Sequence, residues 1–193
     1  MAMIQPLLMY VVLPLWMITG LADWACHRRT RIETTGGLRE CAFHWVMFLQ
    51  MGTSTLAVLF LEINAAVLLL GAALFLAHEL TVWLELRFVV SRRNVQPVEQ
   101  MVHSFMEILP LAGLFLLAVL YVERTGLVSA GDGTAWTLRL KEAPLPPAYL
   151  IAVLTGATLL NVLPMTEESW RCLRAQRAGR RQEHGRPAPP DAG

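Results

Sequence analysis

Hydrophobic residues in this chain are grouped into five long stretches separated by short polar segments. The stretches cover residues 3–22, 43–61, 65–84, 101–122 and 147–165. Each has close to the roughly 20 residues that an α-helix needs to cross the hydrocarbon core of a bilayer. Only residues 61–64 separate the second stretch from the third, which predicts a tight hairpin, because a single helix of that length would exceed any bilayer. The pattern predicts an all-α, polytopic membrane bundle of five transmembrane helices.

Composition agrees with a membrane protein, since 55% of the residues are hydrophobic and only 16% are charged. The first stretch lacks a basic segment before it and a cleavage site after it, so we expect it to be an uncleaved span. We assign residues 1–170 to the bundle and residues 171–193 to a basic, proline-rich tail that we expect to be disordered. Nothing in the chain predicts a nucleic-acid partner.

Shorter features fall between and within the spans. The turn signal of residues 131–133 precedes an alternating segment, 136–141, which predicts a short strand or a strand-like segment. Pro14 and Pro110 lie inside spans and predict kinks in the first and fourth helices.

Arginine predicts the orientation. Residues 23–42, 85–100 and the tail together hold thirteen of the sixteen basic residues. Because cytoplasmic segments carry the excess of lysine and arginine, these segments are predicted to be cytoplasmic, with the N-terminus outside and the C-terminus inside.

Acids and histidines recur at one edge of the hydrophobic stretches. Three histidines follow an acid by four residues, in the pairs Asp23/His27, Glu40/His44 and Glu99/His103. A spacing of four places both side chains on one face of a helix, one turn apart. Glu107 extends the last pair by another turn. The positive-inside topology brings all three pairs to the same leaflet.

The third span ends on that same side and adds further candidates. His78 and Glu85 are seven residues apart and therefore share a helix face, whereas Glu79 points about 100° away. The predicted metal ligands are Asp23, His27, Glu40, His44, His78, Glu79, Glu85, Glu99, His103 and Glu107. Glu33 lies off the face of Asp23 and His27 and is a candidate second-layer or late ligand.

Carboxylates with imidazoles are the donors that hard and borderline metal ions prefer. More acids are available than one zinc ion uses, and the surplus suits two ions bridged by carboxylates, as in helix-bundle di-iron and di-manganese proteins. Two iron ions are our first expectation, with manganese or zinc as alternatives and with Glu107 or Glu40 as the bridge. A metal-free buried polar network and a proton or ion path remain open alternatives.

Other side chains have simpler interpretations beside their functional ones. Arg28, Arg29, Arg92 and Arg93 are candidates to contact an anionic head group, or are orientation signals only. The three cysteines, Cys26, Cys41 and Cys172, show no C-x-x-C spacing. We expect them to be packing residues rather than a structural disulfide, with thiolate ligation as the alternative.

Several motifs resemble those of a set of small bacterial inner-membrane proteins to which no activity is assigned. The motifs are Asp23-Trp24-x-x-His27-Arg28, Glu40-x-x-x-His44 and His103-Ser104-Phe105-x-Glu107-x-Leu109-Pro110. The resemblance implies a multi-pass protein of the bacterial inner membrane. The chemistry is more distantly similar to integral-membrane di-iron desaturases, hydroxylases and alternative oxidase, although the chain has neither H-x-x-H-H boxes nor E-x-x-H pairs.

These observations predict a metal-dependent oxidoreductase, with a di-iron centre as the first expectation, that activates oxygen or a peroxide near the cytoplasmic face. Its substrate would be a membrane lipid, a quinone or another amphiphile, and its electrons would come from a separate donor. Two other functions remain open: a metal sensor, carrier or scaffold without catalysis, and a zinc-dependent hydrolase of lipid amides or esters. The sequence assigns no catalytic residue beyond the ligands and defines no oligomeric state.

Overall fold

The computed structural model describes residues 3–125 and 133–184. Five helices in these ranges are long and apolar enough to cross a membrane. They are α1 (Ile4–Thr30), α2 (Gly37–Phe60), α3 (Ala65–Val90), α4 (Pro97–Thr125) and α5, which begins at Pro147 and ends at His184. The prediction of an all-α bundle with five spanning helices is confirmed.

The predicted hairpin between the second and third spans is present. Helix α2 ends at Phe60 and α3 begins at Ala65, where the side chain of Asn64 accepts a hydrogen bond from the Val67 amide at 3.0 Å. This cap satisfies one of the amides that a helix N-terminus leaves unpaired. It starts α3 directly after the short connection in which the chain reverses direction.

The predicted strand is reduced to a single bridge that covers this hairpin. Leu140 pairs with Leu61 in an isolated antiparallel bridge, whereas residues Gly133–Trp136 form a 3-10 helix. Lys141 Nζ donates to the carbonyls of Val58 and Leu61 at the end of α2, where a cation is favoured. Residues 131 and 132 of the predicted turn lie outside the described residues.

The connection between α1 and α2 positions the first turn of α2, which carries Glu40. Helix α1 ends at Thr30, its C-cap residue Arg31 has a left-handed φ of 53°, and a 3-10 turn at Ile32–Thr34 follows. Gly36 lies directly against the Glu40 carboxylate, where a Cβ atom would overlap it. The absence of a side chain at Gly36 therefore lets the Glu40 side chain fold back over the start of its own helix.

Each of two helices contains a π-helical segment followed by a proline. The segments are Leu8–Val12 in α1 and Thr158–Val162 in α5, and Pro14 and Pro164 come two residues after them. A proline ring clashes with the carbonyl four residues earlier, and in both helices that carbonyl lies within the widened π turn. At Pro14, where a kink was predicted, α1 contains a π-helical segment, and α5 contains a similar segment before Pro164.

The last helix is longer than the sequence suggested. A disordered tail was expected from residue 171, but the helix continues to His184, and only residues 185–193 of that tail lie outside the described ranges. The reason is packing: Cys172 is 1% exposed against α2, and Arg171 forms an ion pair with Glu33. The bundle therefore includes the first turns of the segment assigned to the tail.

Helix α1 packs on α4 and α5, and α2 packs on α3 and α5. At the α1–α5 contact a Cβ atom on Gly20 would lie 3.2 Å from Cγ of Asn161 and overlap its side-chain oxygen. Large apolar side chains such as Leu76, Phe115 and Ile151 are instead exposed on the outside, at 69%, 66% and 65%. An apolar exterior of this kind suits contact with lipid chains.

We predict that Gly20→Ala lowers the thermal unfolding temperature, because the added methyl group overpacks the α1–α5 contact at a cost of about 1–3 kcal/mol. Gly52→Ala is the matched control, since no atom lies within 4 Å of the new Cβ and alanine favours a helix. In an Asn161→Ala background the cost of Gly20→Ala should disappear. Equal unfolding temperatures for the two single variants would contradict this packing.

Candidate metal centre

Eight ionisable side chains from all five helices converge at one end of the bundle, where α1 and α3 end and α2 and α4 begin. We call them the polar cluster: Asp23, His27, Glu40, His44, Glu85, Glu99, His103 and Glu168. Most are buried, and Glu40 and Glu99 are at 0% exposure. Seven of the eight were predicted from sequence, and the structure brings those seven together.

His27 lies at the centre of the polar cluster. Its Nδ1 is 3.1 Å from Glu168 Oε2, and its Nε2 is 3.5 Å from both Asp23 Oδ1 and Glu99 Oε1. Nε2 is buried and has no hydrogen-bond partner in the described part of the chain. Buried polar atoms without a partner are rare, so its long contacts with two carboxylate oxygens leave this nitrogen available to a further ligand.

The His44 ring stacks on the His27 ring, with centroids 4.4 Å apart and an angle of 7° between the planes. His44 Nδ1 is 2.9 Å from Glu168 Oε1, and its Nε2 is 2.7 Å from Glu85 Oε1. Glu168 therefore joins the two stacked imidazoles, one with each carboxylate oxygen.

His103 completes the histidine set from α4. Its Nε2 lies 2.9 Å from Asp23 Oδ1, and its ring meets that of His27 edge-on with centroids 6.3 Å apart. Because the spacing of four puts His103 one turn below Glu99, both side chains of this pair reach the cluster from a single helix face.

Arg93, in the connection between α3 and α4, is the counter-ion of the cluster. Its guanidinium is 2.6 Å from Glu40 Oε1 and 2.5 Å from Glu99 Oε1. Burial alone lowers the pKa of a guanidinium, but the hydrogen bonds to Glu99 and Glu40 outweigh it and raise the pKa of Arg93 above its usual value. The side chain therefore stays cationic. Glu40 Oε2 has no hydrogen-bond partner among residues 3–125 and 133–184.

Two groups of donor atoms are close enough to share a metal ion. Donor atoms of Asp23, His27 and His103 lie within 4.8 Å of one another, and so do those of His27, Glu40 and His44. The two groups have His27 in common.

Charge balance constrains what the cluster holds. Its five carboxylates carry five negative charges when ionised, and Arg93 supplies one positive charge. With neutral histidines the remaining charge is −4, which two divalent cations would cancel. With three protonated histidines it is −1. Buried charges are costly unless they are paired, so bound cations, protonated histidines or protonated carboxylates must offset this charge.

An apolar cavity of about 370 Å³ ends at the polar cluster. Asp23, His27, His44 and Glu168 line one end of it. Leu49, Leu56 and Leu154 also line it and are exposed on the outer surface at 60%, 46% and 42%, so the cavity reaches the lipid-facing side of α2 and α5. Its volume falls in the range of about 300–1,000 Å³ that is typical of small-molecule sites.

Three predicted ligands lie outside the polar cluster. His78 is buried and lines the cavity, and its Nδ1 has no hydrogen-bond partner in the described ranges. Glu79 points away from His78 around α3 and interacts electrostatically with Glu107 of α4. Glu107 lies one helical turn beyond His103 on α4, below the level of the three cluster histidines. From there it does not bridge two ions that those histidines hold.

The remaining candidates have other partners. Glu33 forms an ion pair with Arg171 instead of turning inward. Arg28 is exposed and pairs with Glu167, and Arg29 and Arg92 are exposed as well. All three are placed where a head group could reach them. Arg93 is not, since its side chain is 5% exposed and binds two cluster carboxylates.

Sequence reasoning missed Glu168. The search used acids followed by a histidine four residues later, and Glu168 is followed at that spacing by Cys172. A weaker signal was present: Glu167 and Glu168 are adjacent acids directly after an apolar span on the arginine-rich side. The chain matches no protein-family model, no curated protein and no solved structure.

We predict that Glu168→Gln weakens metal binding about 10- to 100-fold or more, because it removes the carboxylate shared by His27 and His44. Glu167→Gln is the matched control: the neighbouring acid on the same helix is 36% exposed and pairs with Arg28 and Arg171. Metal titration of the purified variants measures the difference. Equal affinities would remove Glu168 from the ligand set.

A second prediction concerns the counter-ion. Arg93→Met should destabilise the metal-free protein by about 3–5 kcal/mol, because it leaves Glu40 and Glu99 buried without their cation. Arg92→Met, one residue away and exposed, should have little effect. Thermal unfolding in detergent checks this, and an unchanged unfolding temperature for Arg93→Met would show that the pair is not buried as described.

Proposed function

We propose that the polar cluster binds two metal ions, with iron as the first expectation, and that the chain is a membrane-embedded oxidoreductase. The observation that carries this proposal is the convergence of three histidines and five carboxylates at the end of an apolar cavity, with His27 Nε2 buried without a hydrogen bond. Helix-bundle di-iron and di-manganese proteins use the same donor types, drawn from facing helices.

Charge supports two ions rather than one. Two divalent cations neutralise the charge of −4 that the carboxylates and Arg93 leave, whereas one zinc ion leaves −2 in a buried site. Mixed carboxylate and imidazole donors suit iron or manganese, while structural zinc sites are richer in cysteine and histidine. The ions would supply oxygen or peroxide activation, and the chain's own residues would position them and exclude water.

The cavity supports an apolar substrate. A molecule that enters from the bilayer beside α2 and α5 would meet an apolar lining first and the polar cluster at the end. A membrane lipid, a quinone or a comparable amphiphile fits this route, because its oxidisable carbon chain or ring partitions into the bilayer. Electrons would come from a separate donor at the arginine-rich end, which we place in the cytoplasm of a bacterium by the positive-inside rule.

One observation favours a second candidate, a metal-free polar network that orders the bundle. Each cluster histidine already lies within 3.1 Å of a carboxylate oxygen, as protonated imidazoles would. A network of that kind would leave only a charge of −1 and would have no use for an apolar cavity at its edge. Metal content separates the two candidates.

We predict about two iron ions per chain in protein purified without added metal or chelator, the number that a carboxylate-bridged centre holds. His44→Ala and His103→Ala should lose most of this metal, whereas Glu62→Gln, at the opposite end of the bundle, should keep it. Elemental analysis by mass spectrometry measures the content. Metal-free wild-type protein would favour the polar network instead, and one zinc ion per chain would favour a hydrolase or a structural site.

The cavity has its own test. Gly52→Phe should fill the cavity, since Gly52 lines it and has no atom within 4 Å of a Cβ position. Oxidation of an amphiphilic substrate should fall about tenfold or more, the cost of a misplaced substrate, while metal content stays unchanged. Leu76→Phe, exposed to lipid at 69%, is the control. Activity retained in Gly52→Phe would show that substrate reaches the cluster by another route.

A further inference from the structure

Two cysteines lie side by side next to the polar cluster. The Sγ atoms of Cys41 on α2 and Cys172 on α5 are 3.1 Å apart. This is about 1 Å longer than a disulfide bond of about 2.05 Å, so a small rotation of the side chains would join them. The third cysteine, Cys26, is on α1 and is only partly buried.

The pair is closed to large reagents. Cys41 is 2% exposed and Cys172 is 1% exposed, and the fully buried Ile32 packs against both, with Leu38 beside it. A tripeptide disulfide such as oxidised glutathione has no space to approach either sulfur. Hydrogen peroxide is little larger than water, so a much smaller opening of this packing would admit it.

The pair is also connected to the polar cluster through the two helices that carry it, α2 and α5. Cys41 directly follows Glu40 on α2, and Cys172 is one turn after Glu168 on α5. A bond between the two sulfurs would therefore tie together the two helices that supply Glu40, His44 and Glu168.

We propose that Cys41 and Cys172 form a redox-active dithiol whose oxidant is hydrogen peroxide or a comparably small hydroperoxide. One thiol sulfur attacks a peroxide oxygen; an S–O bond forms, the O–O bond breaks, and the departing hydroxide takes the thiol proton and leaves as water. The second sulfur then attacks the first; the S–S bond forms, the S–O bond breaks, and its proton leaves with the hydroxide as a second water. Two thiols lose two electrons, and one peroxide is reduced to two waters.

This chemistry goes beyond the proposed oxidoreductase function and does not require the metal ions. Disulfides on the cytoplasmic side of a membrane are transient and serve catalysis or redox sensing, because cellular thiols reverse them. The disulfide would link positions 131 residues apart and hold α2 against α5 beside the cavity. Formation of the disulfide would thus report peroxide beside the polar cluster, the site that we expect to activate oxygen.

The test treats the full-length, purified protein with hydrogen peroxide, in metal-free and in metal-loaded form. Remaining thiols are then alkylated under denaturing conditions and the peptides are mapped by mass spectrometry. We expect a Cys41–Cys172 linked peptide in both forms, two thiols lost per peroxide consumed, and recovery of both thiols with dithiothreitol. Oxidised glutathione should react at least about tenfold more slowly, because burial denies it access.

Cys26→Ala is the control and should form the same linked peptide at the same rate, while Cys172→Ala should lose one thiol per peroxide at Cys41. Peptide mapping of the wild type needs no variant, so misfolding of a variant does not affect the result. Three outcomes would overturn the proposal: oxidation at Cys26 first, sulfinic acid without a linked peptide, or no reaction at either buried cysteine. Absence of metal in the purified protein would overturn only the proposed function.

Discussion

The need to neutralise five buried carboxylates governs this structure. Asp23, Glu40, Glu85, Glu99 and Glu168 come from five different helices, and each must find a cation or a donor, because the surrounding bilayer provides none. Arg93 satisfies part of this requirement and fixes the α3–α4 connection against the start of α2. The histidines satisfy another part, either as protonated partners or as ligands beside metal ions. The helix arrangement at this end follows from that requirement.

The interior next to the cluster contains an apolar cavity. A π-helical segment at Thr158–Val162 and the proline after it widen α5 where Asn161 and Thr158 line the cavity. Gly20 and Gly52 keep side chains out of the same region. This apolar space lies directly beside eight ionisable groups, which is the structural reason to connect the cluster with a membrane-soluble substrate.

Much of this arrangement could be read from the sequence, and the exceptions have physical causes. Hydrophobic length predicted the five spans, and the spacing of four predicted three acid–histidine pairs that the structure brings into the polar cluster, because both follow from helix geometry. Periodicity does not say which side of a helix faces the bundle or at which depth the ligands meet, so it could not exclude Glu79 and Glu107. It also could not find Glu168 or identify Arg93 as the counter-ion, because both roles depend on which helices pack together. The continuation of α5 to His184 depends on the same contacts.

X-ray absorption at the metal edge of the purified protein tests the central claim most directly. Two ions about 3.5–4 Å apart, with nitrogen and oxygen ligands from histidine and carboxylate, are the predicted result. The Glu168→Gln variant should lose the metal–metal scattering. A spectrum without bound metal, or one of a single ion held by sulfur, would contradict the account and leave the polar cluster as a hydrogen-bonded network.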